Sequence, residues 1–366
     1  MRVIVDKLDN FGRGITYINN KITFIDNALP NEEVDIEITK EKTKYNEAKV
    51  LKYITTSKDR IEVDCPYYNK CGGCNLRHLS YDKENEFKEN KVKELLKHIG
   101  NIDIKVNKII TGPEYNYRNK VTFHKSNNLI GYYQKNTKNI IPIDKCLLLD
   151  NTINNSIKDI STSSSNLVIR SSNNSKDLLI NNKESIITNI GNKNYYLSKD
   201  SFFQVNKFLT KELFDLIRKS IKKKYNNCLD LYCGTGTIGI YISDLVNNVI
   251  GIDYSESNIK DANKNRELNK VDNISFICDK VENKINSFKD IDLIIVDPPR
   301  SGLDNKTKSY LKKINPEEII YVSCDPVTLS RDLKDINDSF DIKEITPINM
   351  FPRTYHCESI AVLERR

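Results

Sequence analysis

Leu229-Asp230-Leu231-Tyr232-Cys233-Gly234-Thr235-Gly236-Thr237-Ile238-Gly239 decides the fold class of this chain. A short apolar strand runs into glycines spaced Gly234-x-Gly236-x-x-Gly239, which let the backbone turn tightly and come close to a nucleotide-type ligand. The next apolar run, Val249-Ile250-Gly251-Ile252-Asp253, ends in an acid placed to hold ribose hydroxyls. Taken alone, the pattern fits a dinucleotide or S-adenosylmethionine, with a plain tight turn as the bland alternative. Two details favour S-adenosylmethionine. Asp230 lies inside the strand, four residues before Gly234, and the chain has a single such unit, with a Pro-Pro turn at its fourth strand.

Outward from this loop, helical and strand-like segments alternate from about residue 200, which predicts a parallel sheet with helices on both faces. An amphipathic helix is expected over 207–224, and strands over 228–232, 249–253, 274–278, 293–296 and 319–323. Segments 342–348 and 359–363 have no helix between them, so they should pair as an antiparallel edge, as in the seven-stranded methyltransferase fold. The fourth strand ends in Asp297-Pro298-Pro299-Arg300, at the carboxyl edge where such sheets bind ligands. The turn resembles the Asn/Asp-Pro-Pro of amino-group methyltransferases, but Arg300 stands where those carry an aromatic, and the cysteine that RNA cytosine-5-methyltransferases carry after a proline here is absent, so both activities are disfavoured.

Residues 1–56 read as five short strands, among them Glu33-Val34-Asp35-Ile36-Glu37-Ile38 with its period-two alternation, and fit a small OB-like barrel. Next come Cys65-x5-Cys71-Gly72-Gly73-Cys74, a lysine-rich helical run near 81–99 and a strand-rich stretch over 102–196. Val121-Thr122-Phe123 and Leu167-Val168-Ile169-Arg170 are the clearer strands there, the second inside a Ser/Asn-rich run, 161–175, that reads as loops of a folded domain. Three thiols around a Gly-Gly bend, with Cys146 as the best fourth ligand, suit either zinc or a [4Fe–4S] cluster. The C-x3-C-x2-C spacing of radical enzymes is absent.

At 366 residues the chain should hold two or three domains, and nine cysteines in such a chain read as ligands, reactive thiols or core residues rather than disulfides. No apolar run approaches the roughly 18–20 residues of a membrane span, and Met1-Arg2-Val3-Ile4-Val5-Asp6 has no signal-like apolar region. A cytoplasmic monomer with no membrane partner is expected. The net charge of +7 is unevenly spread: 82–145 carries 13 basic and 8 acidic residues, whereas 1–56 carries nine of each. A basic middle suits phosphate, or a solvated face.

Cys324, in Val322-Ser323-Cys324-Asp325-Pro326, closes one β-like run, and Glu358, in His356-Cys357-Glu358-Ser359, opens another. A thiol and a carboxylate beside a nucleotide-type site suggest covalent catalysis. An ordinary thiol has a pKa of about 8.5, so Cys324 should need positive potential, which the helix starting near Pro326 and Arg331 are expected to supply. Cys228, Cys233, Cys278 and Cys357 read as structural, and His356 as either an orienter of Glu358 or a packing residue.

The order of these motifs resembles the RNA uracil-5-methyltransferase family over nearly the whole chain. The resemblance implies a TRAM barrel over 1–56, with Phe11-Gly12-Arg13-Gly14 and Ala28-Leu29-Pro30-Asn31-Glu32 among its matching residues. It further implies a central mixed α+β domain over 57–200, and an α/β, Rossmann-like, seven-stranded methyltransferase domain over 201–366 that uses S-adenosylmethionine. Cys324 would be the nucleophile and Glu358 the base, and Phe351-Pro352-Arg353-Thr354 matches a family motif. Gln204, in Ser201-Phe202-Phe203-Gln204-Val205-Asn206, would contact the cofactor together with Tyr232, Gly234, Gly236, Asp253 and Asp297. Asp253 stands where glutamate is more usual, which should weaken a ribose contact.

By the same resemblance, which extends to Leu76-x-His78-Leu79-x-Tyr81, Cys65, Cys71, Cys74 and Cys146 would hold a [4Fe–4S] cluster of structural or RNA-shaping role. Arg118, Asn119 and Lys120 would meet RNA or form a structural salt bridge. Barrel and cluster together point to the 23S ribosomal RNA branch, with tRNA left open. The rivals are a non-catalytic Fe–S RNA-binding protein and a redox or sulfur-transfer enzyme.

Overall fold

The computed structural model describes residues 1–126, 129–159, 165–181 and 185–366, so part of the Ser/Asn-rich run lies outside the described residues. The first 55 residues form six strands: β1 (Arg2–Ile4), β2 (Lys7–Leu8), β3 (Gly14–Ile18), β4 (Lys21–Asp26), β5 (Glu33–Glu41) and β6 (Tyr45–Thr55), ordered β1-β5-β6-β4-β3-β2. The strand beyond the five expected is β2, too short to show a period. β1 and β2 end the order on opposite sides, yet only Val5 and Asp6 separate them. The Val5 amide donates to the Glu32 carbonyl (2.9 Å) and that of Asp6 to Ile15 (2.8 Å), so the first eight residues bridge both ends and close the barrel. Val5, Ile25, Ala28, Val34, Ile36 and Ala48 fill it.

Helix α1 (Tyr81–Leu95) follows the cysteine segment and continues through a wide turn at Leu96–Gly100. The central sheet has β7 (Lys120–Ser126), β8 (Leu129–Tyr133), β9 (Ile140–Pro142), β10 (Asn166–Ser171) and β11 (Leu178–Ile180), all antiparallel in the order β11-β10-β7-β8-β9. Helix α2 (Asn151–Ser156) lies between β9 and β10, and a hairpin of β12 (Ser185–Ile190) and β13 (Lys193–Ser198) follows.

The expected helix at 207–224 is shorter, α3 (Thr210–Ser220). Asn206 Oδ1 accepts the Phe208 and Leu209 amides at its start (3.1 Å each), and Ile221 turns extended after its end. Then come β14 (Tyr225–Leu231), α4 (Thr237–Ile242), β15 (Val246–Asp253), α5 (Glu256–Leu268), β16 (Ile274–Cys278), α6 (Val281–Lys284), β17 (Leu293–Val296), α7 (Asn305–Ile314), β18 (Glu318–Ser323), α8 (Pro326–Ile336), β19 (Phe340–Ile348) and β20 (Glu358–Arg365).

They form one sheet ordered β16-β15-β14-β17-β18-β20-β19, parallel up to β18. β20 is antiparallel to both neighbours, as the sequence predicts of that pair, but it inserts between β18 and β19 and leaves β19 alone at the edge. Its residues Glu358 to Leu363 are therefore all buried. The chain reverses its order at β14, which opens a crevice above the strands' carboxyl ends.

Two earlier elements pack onto this sheet's helices. Val92 of α1 and Leu96 share an apolar core with Leu329, Leu333 and Ile336 of α8. The β13 amides of Tyr196 and Ser198 donate to Asn265 and Asp261 of α5 (2.6 and 2.8 Å).

Candidate active site

The glycine loop sits at the crevice. Gly234 and Gly236 have φ of 54° and 73°, and a Cβ on Gly236 would meet Phe276 at 2.4 Å, whereas one on Gly234 would meet nothing within 4 Å. Gly236 is thus fixed by packing, and Gly234 faces open space. The Gly234 amide donates to Asp253 Oδ2 (3.0 Å) and the Gly239 amide to Asp230 Oδ2 (2.9 Å). Asp253 Oδ1 accepts from the Ser255 amide and Asn258 Nδ2 (2.9 and 3.1 Å), so this carboxylate shapes the loop before any ribose arrives. Asp230 is fully buried, and burial pushes its carboxyl up to about 7. Tyr232, at φ 62°, turns its ring toward Thr307, and Gln204 is buried with its carbonyl accepting Asn119 Nδ2 (3.2 Å).

Cys324 and Glu358 meet through the sheet. The β18–β20 ladder ends at Ser323 opposite Ser359; Cys324 is the next residue after β18 and Glu358 the first of β20, and the Glu358 carboxyl acts on the Cys324 thiol. Glu358 is buried, at 2% exposure. Burial first, and then Asp297, hold its carboxyl well above the usual carboxylate range, while Arg300 draws it down. Burial likewise lifts the half-buried Asp297 to about 7. The Cys324 thiol is pushed up to about 12, by burial first, then by Glu358 and Asp297, with Arg300 opposing.

Of the two expected sources of positive potential, the helix does begin at Pro326, but Arg331 is turned away from the thiol. Arg331 is spent on Asp332 Oδ1 (2.7 Å) and the Ser301 carbonyl (2.7 Å), and the cation that acts on Cys324 is Arg300. Arg300 follows the Pro-Pro turn directly, a position that could have marked it in the sequence.

The loop between β19 and β20, residues 349–357, is held from four sides. Lys88 of α1 donates to Asn349 Oδ1 (2.6 Å), the Phe351 carbonyl (3.0 Å) and Glu84 Oε1 (2.7 Å). Arg353 takes φ 68°, pairs with Glu114 and donates to the Leu79 carbonyl (2.7 Å). Its own carbonyl accepts the Asn75 and Leu76 amides (3.0 and 3.1 Å). Tyr117 Oη donates to the Pro352 carbonyl (3.1 Å), and Asn206 Nδ2 to that of Met350 (3.1 Å). His356 packs on Tyr355, with ring centroids 4.2 Å apart, and turns Nε2 to Arg300 at 3.5 Å. Burial, then Arg300, lower its imidazole to about 4. None of the α1 residues stands out in sequence, because a lysine-rich helix reads as solvated.

Cys65, Cys71, Cys74 and Cys146 line one cavity of about 700 Å³, which also reaches Arg118, Arg300, Phe351, Tyr355 and His356. Cys146 is fixed by two hydrogen bonds to Asn154 (2.9 Å each), and Cys71 by its amide to the Tyr67 carbonyl (2.7 Å). Burial and the other cysteines push the Cys74 thiol up to about 12. Four soft donors around one space fit a thiolate-bound centre. Among the described residues, however, no three ligand side chains stand close enough to hold a metal as they are.

Arg118 lines this cavity, Asn119 is buried and bonded to Asn173 and Gln204, and burial lowers the Lys120 amine to about 8. Cys228, Cys233 and Cys357 are buried as expected of structural thiols, but Cys278 is exposed at the end of β16.

A family model described as tRNA (Uracil-5-)-methyltransferase matches residues 164–366, and a TRAM domain model matches residues 1–51. A protein of Aquifex aeolicus described as an uncharacterized RNA methyltransferase is 32% identical over 100% of this chain and 98% of its own length. One of Clostridium tetani with the same description is 32% identical over 96% and 93%. The crystal structure of Pyrococcus abyssi tRNA (uracil-54, C5)-methyltransferase in complex with S-adenosyl-L-homocysteine covers 99% of this chain and 100% of its own, with a TM-score of 0.82 and 26% identity.

Proposed function

Because the chain belongs to the tRNA (Uracil-5-)-methyltransferase family, we propose that it makes 5-methyluridine in 23S ribosomal RNA, with Cys324 as nucleophile and Glu358 as base. The placing of Cys324 and Glu358 next to the last rung, Ser323–Ser359, where the carboxyl acts on the thiol, carries this reading. Carbon 5 of uracil is a poor nucleophile on its own. Addition of the Cys324 thiolate to carbon 6 forms a C–S bond and makes an enolate, whose carbon 5 can attack an electrophile. S-adenosylmethionine would supply that electrophile, a methyl group on a cationic sulfur, whose bond to the methyl breaks as the sulfur leaves as the neutral thioether S-adenosyl-L-homocysteine. Glu358 then takes the carbon-5 proton, the C–S bond breaks, and the thiolate is restored. Glu358 opens β20 and Cys324 directly follows the buried strand β18, and the pairing of these two strands keeps the spacing of the two groups fixed through the cycle.

We assign Gln204, Tyr232, Gly234, Gly236, Asp253 and Asp297 to the methyl donor. Gly234 carries most of that argument, since only there does the loop face open space. Cys65, Cys71, Cys74 and Cys146 would hold a [4Fe–4S] cluster with no part in the proton or methyl steps; their shared cavity and thiol chemistry support this.

The 23S assignment rests on the resemblance of a barrel combined with a four-cysteine segment. A second reading, a tRNA uridine, is favoured by the Pyrococcus abyssi structure, whose name specifies tRNA. Tritium transfer from labelled S-adenosylmethionine to unmodified 23S and tRNA transcripts, with Cys324→Ala as control, tests both. Label on 23S RNA as 5-methyluridine supports the first reading, label on tRNA alone replaces it with the second, and no label on either removes the enzyme reading.

A further inference from the structure

We propose that the barrel's turn at residues 9–13 forms part of the RNA site, with Phe11 as the platform on which a base of a single-stranded substrate segment flanking the target uridine stacks. This deepens the function proposed above and rests on it.

Phe11 is 53% exposed, yet its backbone is fixed. Asp9 Oδ1 accepts the amides of Phe11 (2.9 Å) and Arg13 (2.8 Å), and the Asp9 amide donates to the Arg13 carbonyl (2.8 Å). Gly12 has φ of 79°, and a Cβ there would stand 2.4 Å from Leu76, so the tip is seated against the cysteine segment. Lys91 Nζ donates both to the Asn10 carbonyl (2.8 Å) and to the Tyr355 carbonyl (3.0 Å), tying the tip to the loop that leads into Glu358. The Phe11 ring meets Tyr355 edge-on, with centroids 5.2 Å apart and planes at 80°, and Tyr355 packs on His356 in turn. The Arg13 guanidinium, paired with Asp9 (2.7 Å), stands over the ring 5.6 Å from its centroid, and half of the residue is still open to water. An aromatic held this firmly while half open to water is poised for a ligand, not for the core.

The surroundings specify that ligand. Phe11 lines a cavity of about 410 Å³ with Arg13, Lys49 and Lys135, which shares Tyr68, Cys71, Cys74, Asn75 and Lys135 with the larger cavity beside Arg300 and His356. An aromatic face, three nearby cations and a continuous path to the catalytic loop match a nucleic-acid strand whose bases stack while its phosphates meet the cations. Asp26 pairs with Lys135 (2.9 Å) and Glu37 with Lys49 (2.8 Å), so those amines would exchange acidic partners for phosphate as the strand enters.

The test is fluorescence anisotropy of a fluorescein-labelled single-stranded oligouridine with the full chain, its Phe11→Ala and its Phe11→Trp variants. Loss of a base–aromatic stack should weaken binding by about 5- to 150-fold in Phe11→Ala, and Phe11→Trp should restore it. Irradiation of a 5-iodouridine-substituted oligonucleotide should place the cross-link on Phe11. The inference is overturned if Phe11→Ala binds as tightly as the parent, if the parent does not bind the oligonucleotide, or if the cross-link maps away from the turn. Methyl transfer is not part of either readout, so failure of the enzymatic reading would show separately, as a protein that binds RNA through Phe11 and transfers no methyl.

Discussion

Cys324 follows β18 directly and Glu358 opens β20, so the thiol and the carboxylate flank the same end of the β18–β20 ladder, each next to its last rung, Ser323–Ser359. The two groups act at opposite ends of the proposed reaction, one forming the adduct and the other releasing it. Glu358→Gln should therefore slow turnover by about 10²–10⁴-fold while a covalent RNA–protein adduct accumulates, visible as a shifted band on a denaturing gel. Cys324→Ala should give no adduct. Wild-type turnover by Glu358→Gln would take Glu358 out of the proton step.

In the free protein, the same neighbourhood works against the nucleophile, because burial, Glu358 and Asp297 push the Cys324 thiol up to about 12. Even allowing for the greater intrinsic reactivity of a basic thiolate, Cys324 should react with iodoacetamide on the order of 10²-fold more slowly at pH 8 than free glutathione. Its rate should still be climbing above pH 10, and Arg300→Ala should slow it further, since Arg300 is the cation that opposes the rise. Peptide-resolved mass spectrometry reads each rate. A Cys324 more reactive than glutathione at pH 8 would sink this account and restore the activated thiol that the sequence suggests.

The parts of this protein that were legible in sequence are those whose signal is local. β14, its glycine loop and Asp253 could be read from one stretch because strand, turn and acid follow one another directly. The strands carrying Cys324 and Glu358 could be read as apolar runs, and their antiparallel relation from the lack of a helix between β19 and β20. That β20 lies inside β19 could not be read, because strand order is a choice among long-range pairings with the same local pattern. Nor could the role of α1. Its lysines read as a basic surface, but Lys88 and Lys91 are buried against carbonyls more than 260 residues away in sequence. Charge composition records what a residue carries, and only the fold reveals what it faces.

The four cysteines around the larger cavity make metal content a direct test. Protein purified without oxygen is expected to hold iron and acid-labile sulfide at about four each per chain, and Cys146→Ser should lower both. Stoichiometric zinc without iron would replace the cluster by a zinc site, and absence of both metals would leave the thiols as cavity lining.

Asp230 makes stability depend on pH in a defined direction. Its carboxyl moves from 3.8 unfolded to about 7 folded, because burial outweighs the hydrogen bond from the Gly239 amide. The folded state therefore holds the proton more tightly, and this stabilisation is complete below about 3.8 and lost as pH rises through about 7. The full effect is at most about 4 kcal/mol. Asp230→Asn keeps an acceptor for the Gly239 amide and removes the charge. Its melting temperature relative to the parent should rise between pH 4 and pH 8, and a constant difference across that range would refute the assignment.

Lys88 and Glu84 form a fully buried ion pair (2.7 Å) beneath the loop that ends at Glu358. Breaking a buried pair from one side costs about 3–5 kcal/mol, and Arg353, 3.6 Å from Glu84, should hold the loss to the lower end of that range. Lys88→Met should lose that much in urea unfolding, and Lys88→Met with Glu84→Gln should recover part of it, because the carboxylate then left with Arg353 alone is gone. Lys88 also holds Asn349 and the Phe351 carbonyl, so the loss should extend beyond stability. At temperatures where Lys88→Met remains folded, adduct formation by Cys324 should persist while release of methylated product slows, since the loop positions Glu358 and not the thiol. Equal slowing of both steps would mean that α1 supports the whole sheet edge rather than this loop, and unchanged stability would mean that the pair is not formed in solution.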